Sequence, residues 1–417
     1  MPTSSYGPDD HKRRPTPGSV PVSDVILVYN AGSSSIKFAL FPLAAEAIPA
    51  RLFSGSISGI GGSQAAFTVR GAQAAGITNL TVTADSHGQA LHIILDWLEH
   101  ETTGWQLTAA GHRVVHGGTE FCQPVRVDDA VLARLKALIP LAPLHQPYAL
   151  HAIEALAARY PQLPQVACFD TAFHATMPAR EYRLALPDAM LHQGIRRYGF
   201  HGLSYESIVR AMPAHLGEAA AGRVIIAHLG HGVSMCAVKD GQGIATTMGF
   251  TPLDGLPMGT RSGAIDPAVV LYLLAHGMTA PEVSDLLHQR SGLLGLSGIS
   301  DDMRTLLAST DARAQAAIDI FCYRIGRELG SLAAALGGLD AVILTGGIGM
   351  HAAPVRERIC RQAAWLGIEL DAQANRENAL RISTASSPVS AWAIPTDEEQ
   401  VIAHHTAALL AGVVSPQ

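Results

Sequence analysis

Apolar residues along the chain fall into short runs separated by polar, glycine-rich segments, and the first such unit lies near the start. An apolar run at 25–29 is followed by the polar segment 30–35 and by a second apolar run at 36–41. Two short runs rich in β-branched and aromatic residues on either side of a polar turn predict a β-hairpin. We therefore expect two strands joined by a tip rich in glycine and serine.

A second unit of the same kind covers residues 224–238. Gly32 in the first unit and Gly230 in the second occupy equivalent places, 230 − 32 = 198 residues apart, and Ala39 and Ala237 share this offset. Solenoid repeats have periods of only ~20–50 residues. An offset near half the chain length predicts two related domains instead.

The clearest helix is predicted over 311–336, because apolar residues recur there with helical spacing. These residues are Ile318, Phe321, Cys322, Ile325 and Leu329. Gly337 provides a stop signal, and a buried strand is predicted at 339–345. The segment Gly-Gly-Ile-Gly at 346–349 follows it, and we expect a helix after this turn. Such a layout can bring backbone N–H groups onto a phosphate.

Composition excludes several classes of protein. The chain has 417 residues, 48% of them hydrophobic and 15% charged, with a net charge of −6. A disordered chain would have fewer apolar residues, and a nucleic-acid binder would carry a basic patch. We find no apolar run of ~18 residues for a membrane helix. The five cysteines form no CxxC pair, which favours reduced thiols in the cytoplasm over zinc or disulfides.

The N-terminal segment 1–23 contains five prolines and no apolar stretch. It does not have the pattern of a secretory signal, and we predict a disordered extension.

Three glycine turns, two of them related by an internal repeat, are typical of the superfamily of actin, sugar kinases and heat-shock proteins, which hold ATP between two similar domains. Local sequence blocks narrow the choice. They lie at 30–37, 111–118, 141–145, 169–174, 199–202, 248–263 and 394–399. These blocks, in this order from about residue 24 to 410, resemble those of the acetate kinase (acetokinase) family.

This resemblance implies an α/β fold with two ribonuclease-H-like domains, as in actin-like ATPases, and an ATP cleft between them. We expect a first domain at 24–171 together with 399–417, and a second at 172–398. The implied reaction is the reversible, Mg²⁺-dependent, in-line transfer of the γ-phosphoryl group of ATP to acetate, giving acetyl phosphate and ADP. Mn²⁺ can replace Mg²⁺ in such sites, and the family is typically a cytoplasmic homodimer.

The chemistry of this reaction explains the residue types. A carboxylate acceptor, with a pKa near ~4, is already ionised at neutral pH and needs no general base. Catalysis then consists of positioning and of stabilising charge on the phosphoryl oxygens. By resemblance, the catalytic residues are Arg113, Asp170, His201 and Arg261, of which His201 and Arg261 stabilise the transition state.

The resemblance also implies the binding residues. His145 is a further active-site residue, and the metal would lie at Asn30 and Glu398, with Asp170 as the other associated carboxylate and Glu399 as an alternative to Glu398. The acetate residues are Arg113, Val115, Leu144, Phe200 and Pro252. The nucleotide residues are Ser35, Lys37, His228, Leu229, Gly230, His231, Gly232, Asp302, Met303, Arg304, Gly347, Ile348 and Gly349.

Several positions depart from the family pattern. His231 stands where asparagine is usual, and imidazole is bulkier and can be cationic near phosphates. The other departures are Gln146 and Asp397 for asparagine, Ala264 for aspartate, and Met350-His351 for Glu-Asn. The catalytic residues are all present, so we expect catalysis to survive.

Three alternatives stay open at this point. A propionate or other short-chain carboxylate kinase would share the mechanism, and one methylene in a pocket is worth only ~1–3 kcal/mol. A non-catalytic, actin-like nucleotide-binding module would keep the glycine turns without needing Arg113 and Arg261. A metal protein is the third, since the chain has 19 histidines, but we find no HExxH pattern of the kind that binds zinc.

Overall fold

The computed structural model describes residues 23–32, 35–43, 50–62, 64–71, 77–101 and 105–412. Apart from Ser23, the predicted extension at 1–23 lies outside these described residues. Within them the chain forms two β-sheets with helices packed on both.

The first sheet contains the strands β1 (Ser23–Ala31), β2 (Ser35–Pro42), β3 (Phe53–Ser58), β4 (Ala65–Gly71), β5 (Ile77–Val82), β6 (Trp105–Val114), β7 (Val125–Arg126) and β8 (Gln165–Phe169). The second contains β9 (Arg223–Leu229), β10 (Val233–Lys239), β11 (Gln242–Thr246), β12 (Ala341–Thr345) and β13 (Ser390–Ala393).

The helices are α1 (His87–Glu101), α2 (Asp129–Ala137), α3 (Gln146–Arg159), α4 (Ala179–Tyr182), α5 (Asp188–His192), α6 (Gly202–Leu216), α7 (Pro267–Ala275), α8 (Ala280–Gln289), α9 (Gly292–Ser297), α10 (Met303–Ala308), α11 (Ala312–Leu336), α12 (Gly346–His351), α13 (Ala353–Gln362), α14 (Ala372–Arg376) and α15 (Glu398–Leu410). Short 3-10 turns lie at Ile139–Leu141, Ala172–Thr176, Gly217–Ala221 and Ala364–Leu366.

The two sheets share one topology. The order β3-β2-β1-β6-β8 in the first sheet corresponds to β11-β10-β9-β12-β13 in the second. In both, the first three strands are antiparallel neighbours, and the last two run parallel to the central strand. This agreement confirms the prediction of two related α/β domains.

The two predicted hairpins differ in the length of their turns. In the first hairpin (β1–β2), Ala31 pairs with Ile36, which leaves four residues between the partners. In the second hairpin (β9–β10), Leu229 pairs with Val233, which leaves three. The second turn is therefore one residue shorter.

This shorter turn changes the equivalence between the outer strands. Ala39 pairs with Val28, and the residue that pairs with the equivalent Ile226 is Cys236. The prediction that Ala39 corresponds to Ala237 is therefore wrong, because the offset of 198 holds only up to the turn.

Helix α11 shows why the sequence folds as it does. Asp311 caps its start by accepting a hydrogen bond from the backbone N–H of Arg313, and Gly337 ends it with a φ of 71°. The predicted apolar face, from Ile318 to Leu329, is buried in the core of the second domain. The next strand, β12, is shorter than predicted. The Gly-Gly-Ile-Gly segment is no separate turn, because α12 already begins at Gly346.

Helix α15 returns to the first sheet, where it packs on β1, β6 and β8. Its Val401 and Ile402 are buried there, and a Cβ on Gly111 of β6 would lie 2.6 Å from the Ile402 side chain. The helix can pack this closely because position 111 is glycine. The domain boundaries themselves stay a prediction.

Among the described residues, none of the helices combines the length and apolar character needed to cross a bilayer.

Candidate active site

The two hairpins border a cleft of about 800 Å³. Most of the predicted site residues line it together: Asn30, Ser35, Lys37, Arg113, Val115, His145, Asp170, Phe200, His201, His228, Gly230, His231, Gly232, Pro252, Arg261, Gly347 and Glu398. Residues almost 370 positions apart in sequence, such as Asn30 and Glu398, come into hydrogen-bond contact here.

The remaining predicted residues lie behind or beside this lining: Leu144, Leu229, Asp302, Met303, Arg304, Ile348 and Gly349. Leu229 and Met303 are buried in the core, and Leu144 is 40% exposed. The Asp302 carboxylate accepts from the backbone N–H of Arg304 at 2.9 Å and thereby caps α10. Its neighbour Asp301 lines the cleft instead.

Arg113, at the end of β6, holds Asp170 in a two-pronged contact. Its Nε lies 3.1 Å from both carboxylate oxygens, and its Nη2 lies 2.6 Å from Oδ2. Burial opposes the charge of this guanidinium, but the carboxylates of Asp170 and Glu398 outweigh burial and raise the pKa of Arg113. Arg113 is thus a fixed cation at the cleft.

Glu398 begins α15 beside this pair. Its Oε2 accepts from the Asn30 amide at 3.2 Å, and Asn30 in turn accepts from Nη1 of Arg113 at 3.2 Å. Burial raises the pKa of Glu398, and burial likewise raises that of Glu399, which also lines the cleft. These carboxylates lie in a site that favours an additional positive charge.

Two histidines stack in the middle of the cleft. The rings of His201 and His228 have centroids 4.3 Å apart. The Nδ1 atom of His201 lies 2.8 Å from the Ser234 hydroxyl, and that of His228 lies 2.8 Å from the Ser204 hydroxyl. Burial lowers the pKa of His228 to about 4, and burial together with the His228 ring lowers the pKa of His201 well below its usual value. Both rings are neutral at pH 7.

Arg261 approaches from the second domain. Its Nη1 donates to the Pro252 carbonyl at 2.7 Å. A Cβ on Gly232 would lie 2.9 Å from Nη2 of Arg261 and 3.1 Å from Nε2 of His201. Burial lowers the pKa of Arg261 to about 10, and the positive charge of Arg113 adds to this. The second hairpin therefore needs glycine at this place to bring its backbone close to both donors.

His145 adds no charge to the cleft. Burial lowers its pKa to about 3, and the positive charges of Arg261 and Arg113 act in the same direction. The cleft thus combines two arginines with neutral histidines, an arrangement that stabilises anions without general-base chemistry.

One end of the cleft is apolar. Val115, Phe200 and Pro252 line it, and Val115 and Phe200 are 4% and 1% exposed. Phe200 precedes His201, which has a left-handed backbone with φ 60°. Because His174 contacts the Phe200 carbonyl through Nε2 at 3.0 Å, the loop carrying both residues is held from behind.

The departures from the family pattern are accommodated in different ways. His231 Nε2 lies 3.1 Å from the Asp301 carboxylate at the mouth of the cleft. Gln146 is fully buried, and its amide exchanges two 3.0 Å hydrogen bonds with the backbone of His116. Asp397 forms a 2.5 Å ion pair with Arg51. Met350 and His351 both line the cleft.

Sequence reasoning missed several residues of the lining: Asp301, Gly346, Pro395 and Thr396. Ser234 was also missed, although its position carried a signal. It is the one hydroxyl residue in the otherwise apolar run of β10, where it is completely buried.

The model of the acetokinase family matches residues 25–404 of the chain. An acetate kinase of Rhodopseudomonas palustris is 55% identical over 389 residues, which cover 92% of this chain and 98% of that protein. One from Methylocella silvestris is 50% identical over 401 residues, covering 93% and 98%.

Solved structures give the same result. The crystal structure of Porphyromonas gingivalis acetate kinase matches with a TM-score of 0.82 and 36% identity, covering 93% of this chain and all of that one. A propionate kinase from Francisella tularensis matches with a TM-score of 0.85 and 37% identity, covering 92% and 99%. The predicted actin-like ATPase fold is confirmed by these likenesses.

Proposed function

Because this chain belongs to the acetokinase family over nearly its whole length, we propose that it transfers the γ-phosphoryl group of ATP reversibly to acetate. The observation that carries this proposal is the cleft itself. Arg113 from the first domain and Arg261 from the second border it together with the neutral ring of His201. A non-catalytic nucleotide-binding module would not require this convergence.

Acetate would bind with its methyl group at the apolar end, against Val115, Phe200 and Pro252, and its carboxylate toward the arginines. One carboxylate oxygen attacks the γ-phosphorus while the bond to the bridging oxygen of ADP breaks, and that electron pair stays on ADP. Arg261 and His201 donate to the phosphoryl oxygens, where charge is distributed in the transition state. Arg113 orients the acceptor and is itself oriented by Asp170.

The nucleotide would lie along the two hairpins. Lys37 of the first and the backbone of Gly230 and Gly232 in the second border the part of the cleft that phosphates would occupy. Asp301, which also lines the cleft, would accept hydrogen bonds from nucleotide hydroxyl groups.

We also propose that Mg²⁺, or Mn²⁺ in its place, accompanies the nucleotide. Among the described residues, no three histidine, cysteine, aspartate or glutamate side chains form a cluster that could hold a metal ion. Mg²⁺ does not need such a cluster, because it takes only one or two protein carboxylates and keeps water and phosphate ligands. Glu398 fits this requirement because it is a partly buried carboxylate whose pKa is raised by desolvation, with Asn30 and Asp170 beside it. The ion would supply charge neutralisation between the phosphates.

A homodimer is the assembly that the surface supports. Helix α7 is strongly apolar, yet none of its residues is buried, and Leu271 and Tyr272 are 67% and 61% exposed. Ile265, just before α7, and Ile320 of α11 are also exposed, and both line a smaller pocket. An exposed apolar helix face marks an interface, and a second copy of the chain is the partner we propose. The five free cysteines, four of them buried, fit a reducing cytoplasm.

The decisive experiment measures acyl phosphate, trapped as the hydroxamate, with ATP, Mg²⁺ and a panel of acetate, propionate and butyrate. We expect acetate to give the highest kcat/KM. A preference for propionate would reassign the substrate within the same mechanism, whereas no ATP-dependent product with any acid would reject the proposal. Removing Mg²⁺ with EDTA should abolish the product.

A further inference from the structure

Two buried hydroxyl groups connect to His201 behind the cleft. The Ser234 hydroxyl on β10 lies 2.8 Å from His201 Nδ1, and it also contacts the phenol oxygen of Tyr205 on α6. Ser234 and Tyr205 are both completely buried. The three side chains form one line that runs from the core to the cleft.

The direction of hydrogen bonding along this line follows from which protons need partners. Burial raises the pKa of Tyr205 well above its usual value, so the phenol keeps its proton. Among the described residues, Ser234 is the hydrogen-bond partner of the phenol oxygen. If Tyr205 did not donate, its proton would be buried without a partner, which costs about 1–3 kcal/mol. Tyr205 therefore donates to Ser234. The Ser234 hydroxyl hydrogen is buried as well, and its remaining acceptor among the described residues is His201 Nδ1, so Ser234 donates to His201.

This direction determines which nitrogen of His201 carries hydrogen. A neutral imidazole has one donor and one acceptor nitrogen. Because Nδ1 accepts from Ser234, the hydrogen is on Nε2, the atom that lies 3.1 Å from the position of a Cβ on Gly232, beside Arg261. The donor nitrogen thus faces the cleft, where the transferred phosphoryl group would bind.

We propose that Tyr205 and Ser234 are positioning residues that fix the tautomer of His201 and so make its Nε2 a permanent hydrogen-bond donor to the phosphoryl group. The role of Nε2 as a donor to the phosphoryl group rests on the proposed kinase activity. The assignment of the His201 tautomer does not depend on that activity.

The ring of His201 is held in place independently of these hydroxyl groups. It stacks on His228 at 4.3 Å, and the backbone N–H of the next residue, Gly202, donates to the Asp170 carbonyl at 2.9 Å. Removing a hydroxyl should therefore change the population of tautomers and leave the ring where it is.

The direct test is ¹⁵N NMR of the full chain labelled at its histidines, with the His201 signals assigned by their loss in His201→Gln. We expect an unprotonated Nδ1 and a protonated Nε2 in the wild type. In Tyr205→Phe and Ser234→Ala, averaged shifts of the two nitrogens should show a mixture of tautomers. Ser234→Thr keeps the hydroxyl and should retain the wild-type shifts.

Kinetics provides the second readout. Loss of one neutral hydrogen bond should lower kcat about threefold to tenfold in Tyr205→Phe and Ser234→Ala, with KM for ATP and acetate unchanged. Ser234→Thr should restore kcat. The matched control is Ser204→Ala, which removes the equivalent hydroxyl from His228 and should leave the His201 shifts unchanged.

Two results would overturn the inference: a proton on Nδ1 in the wild type, or unchanged His201 shifts in both Tyr205→Phe and Ser234→Ala. A wild-type protein that shows the expected shifts but no acyl phosphate formation would reject the proposed function and leave the tautomer assignment intact.

Discussion

The two hairpins are the same structural unit, but they contribute different groups to the cleft. The first contributes side chains: Asn30 bonds both Arg113 and Glu398, and Lys37 borders the cleft from the next strand. The second contributes the His228 ring and, above all, backbone, because glycines at its turn let the chain pass close to the rings of His201 and His228.

The equivalent positions 30 and 228 show the difference best. Asn30 joins a network of charged groups, whereas His228 is a neutral ring bonded to a serine hydroxyl. The repeated fold determines where a residue lies, and the type of side chain decides whether that place carries charge. The two hairpins, which we call the two walls of the cleft, are thus similar in backbone and different in chemistry.

The largest expected effect separates the arginines of the two walls. Arg261→Ala should lower kcat ~10²–10³-fold, as removal of a transition-state donor does, with little change in Tm, since no carboxylate among the described residues pairs with it. Arg113→Ala should lower both, because a buried Asp170 without its partner costs ~3–5 kcal/mol. Steady-state kinetics measures kcat and thermal unfolding measures Tm for both variants, and the corresponding Arg→Lys variants are the controls. Near-full kcat in Arg261→Ala would contradict the assigned site.

The next effect compares glycines of the two turns. A Cβ on Gly232 would lie 2.9 Å from Arg261, so Gly232→Ala should displace the donors and lower kcat up to ~100-fold. Gly32→Ala is the matched control, because its Cβ would lie 3.3 Å from the Ser35 carbonyl and needs only a small shift. An equal decrease of kcat in Gly232→Ala and Gly32→Ala would contradict the described difference between the two hairpins.

A third experiment replaces His228 with asparagine, the residue at the equivalent position 30 of the first hairpin. The folded pKa of His228, about 4, lies below its unfolded value of ~6.5, so its contribution to stability is complete above pH ~6.5 and is lost as pH falls to about 4. His228→Asn should therefore flatten the pH dependence of the unfolding free energy by up to ~1.4 kcal/mol per pH unit.

Urea unfolding between pH 7.5 and pH 4.5 measures that slope. His192→Asn, at an exposed histidine of α5, is the control. Identical slopes for wild type and His228→Asn would show that the pKa of His228 is not lowered by folding.

The smallest effect concerns the tip of the second hairpin. His231→Asn installs the usual family residue and removes the ring beside Asp301, so KM for ATP should fall by less than about fivefold, because exposed pairs contribute little. We expect kcat to stay unchanged. Asp301→Asn tests the other partner, and a large change in kcat for either variant would place the pair in the reacting centre.

Local patterns predicted what depends on neighbours in sequence. The strands of both hairpins, helix α11 and its glycine stop follow from periodicity and capping, and the structure confirms them. Strand register could not be predicted in the same way, since the missing turn residue shows only when Val233 is seen opposite Leu229.

The candidate site was predictable as a set of residues and less so in its details. Asp301 and Asp302 are adjacent acids that sequence alone does not distinguish. In the structure the Asp302 carboxylate caps α10, whereas Asp301 lines the cleft. The line from Tyr205 to His201 also depends on contacts between elements about 30 residues apart. Such roles emerge from packing, and residue type alone does not reveal them.

The shorter turn of the second hairpin is also a record of ancestry. A single-residue length change after duplication means that the halves have been altered separately since they diverged, and any alignment of one half with the other needs a gap at this turn. The same independence is useful to an engineer. Lengthening the turn between Leu229 and Val233 by one residue would give the second hairpin the turn length of the first, while the first hairpin stays as it is.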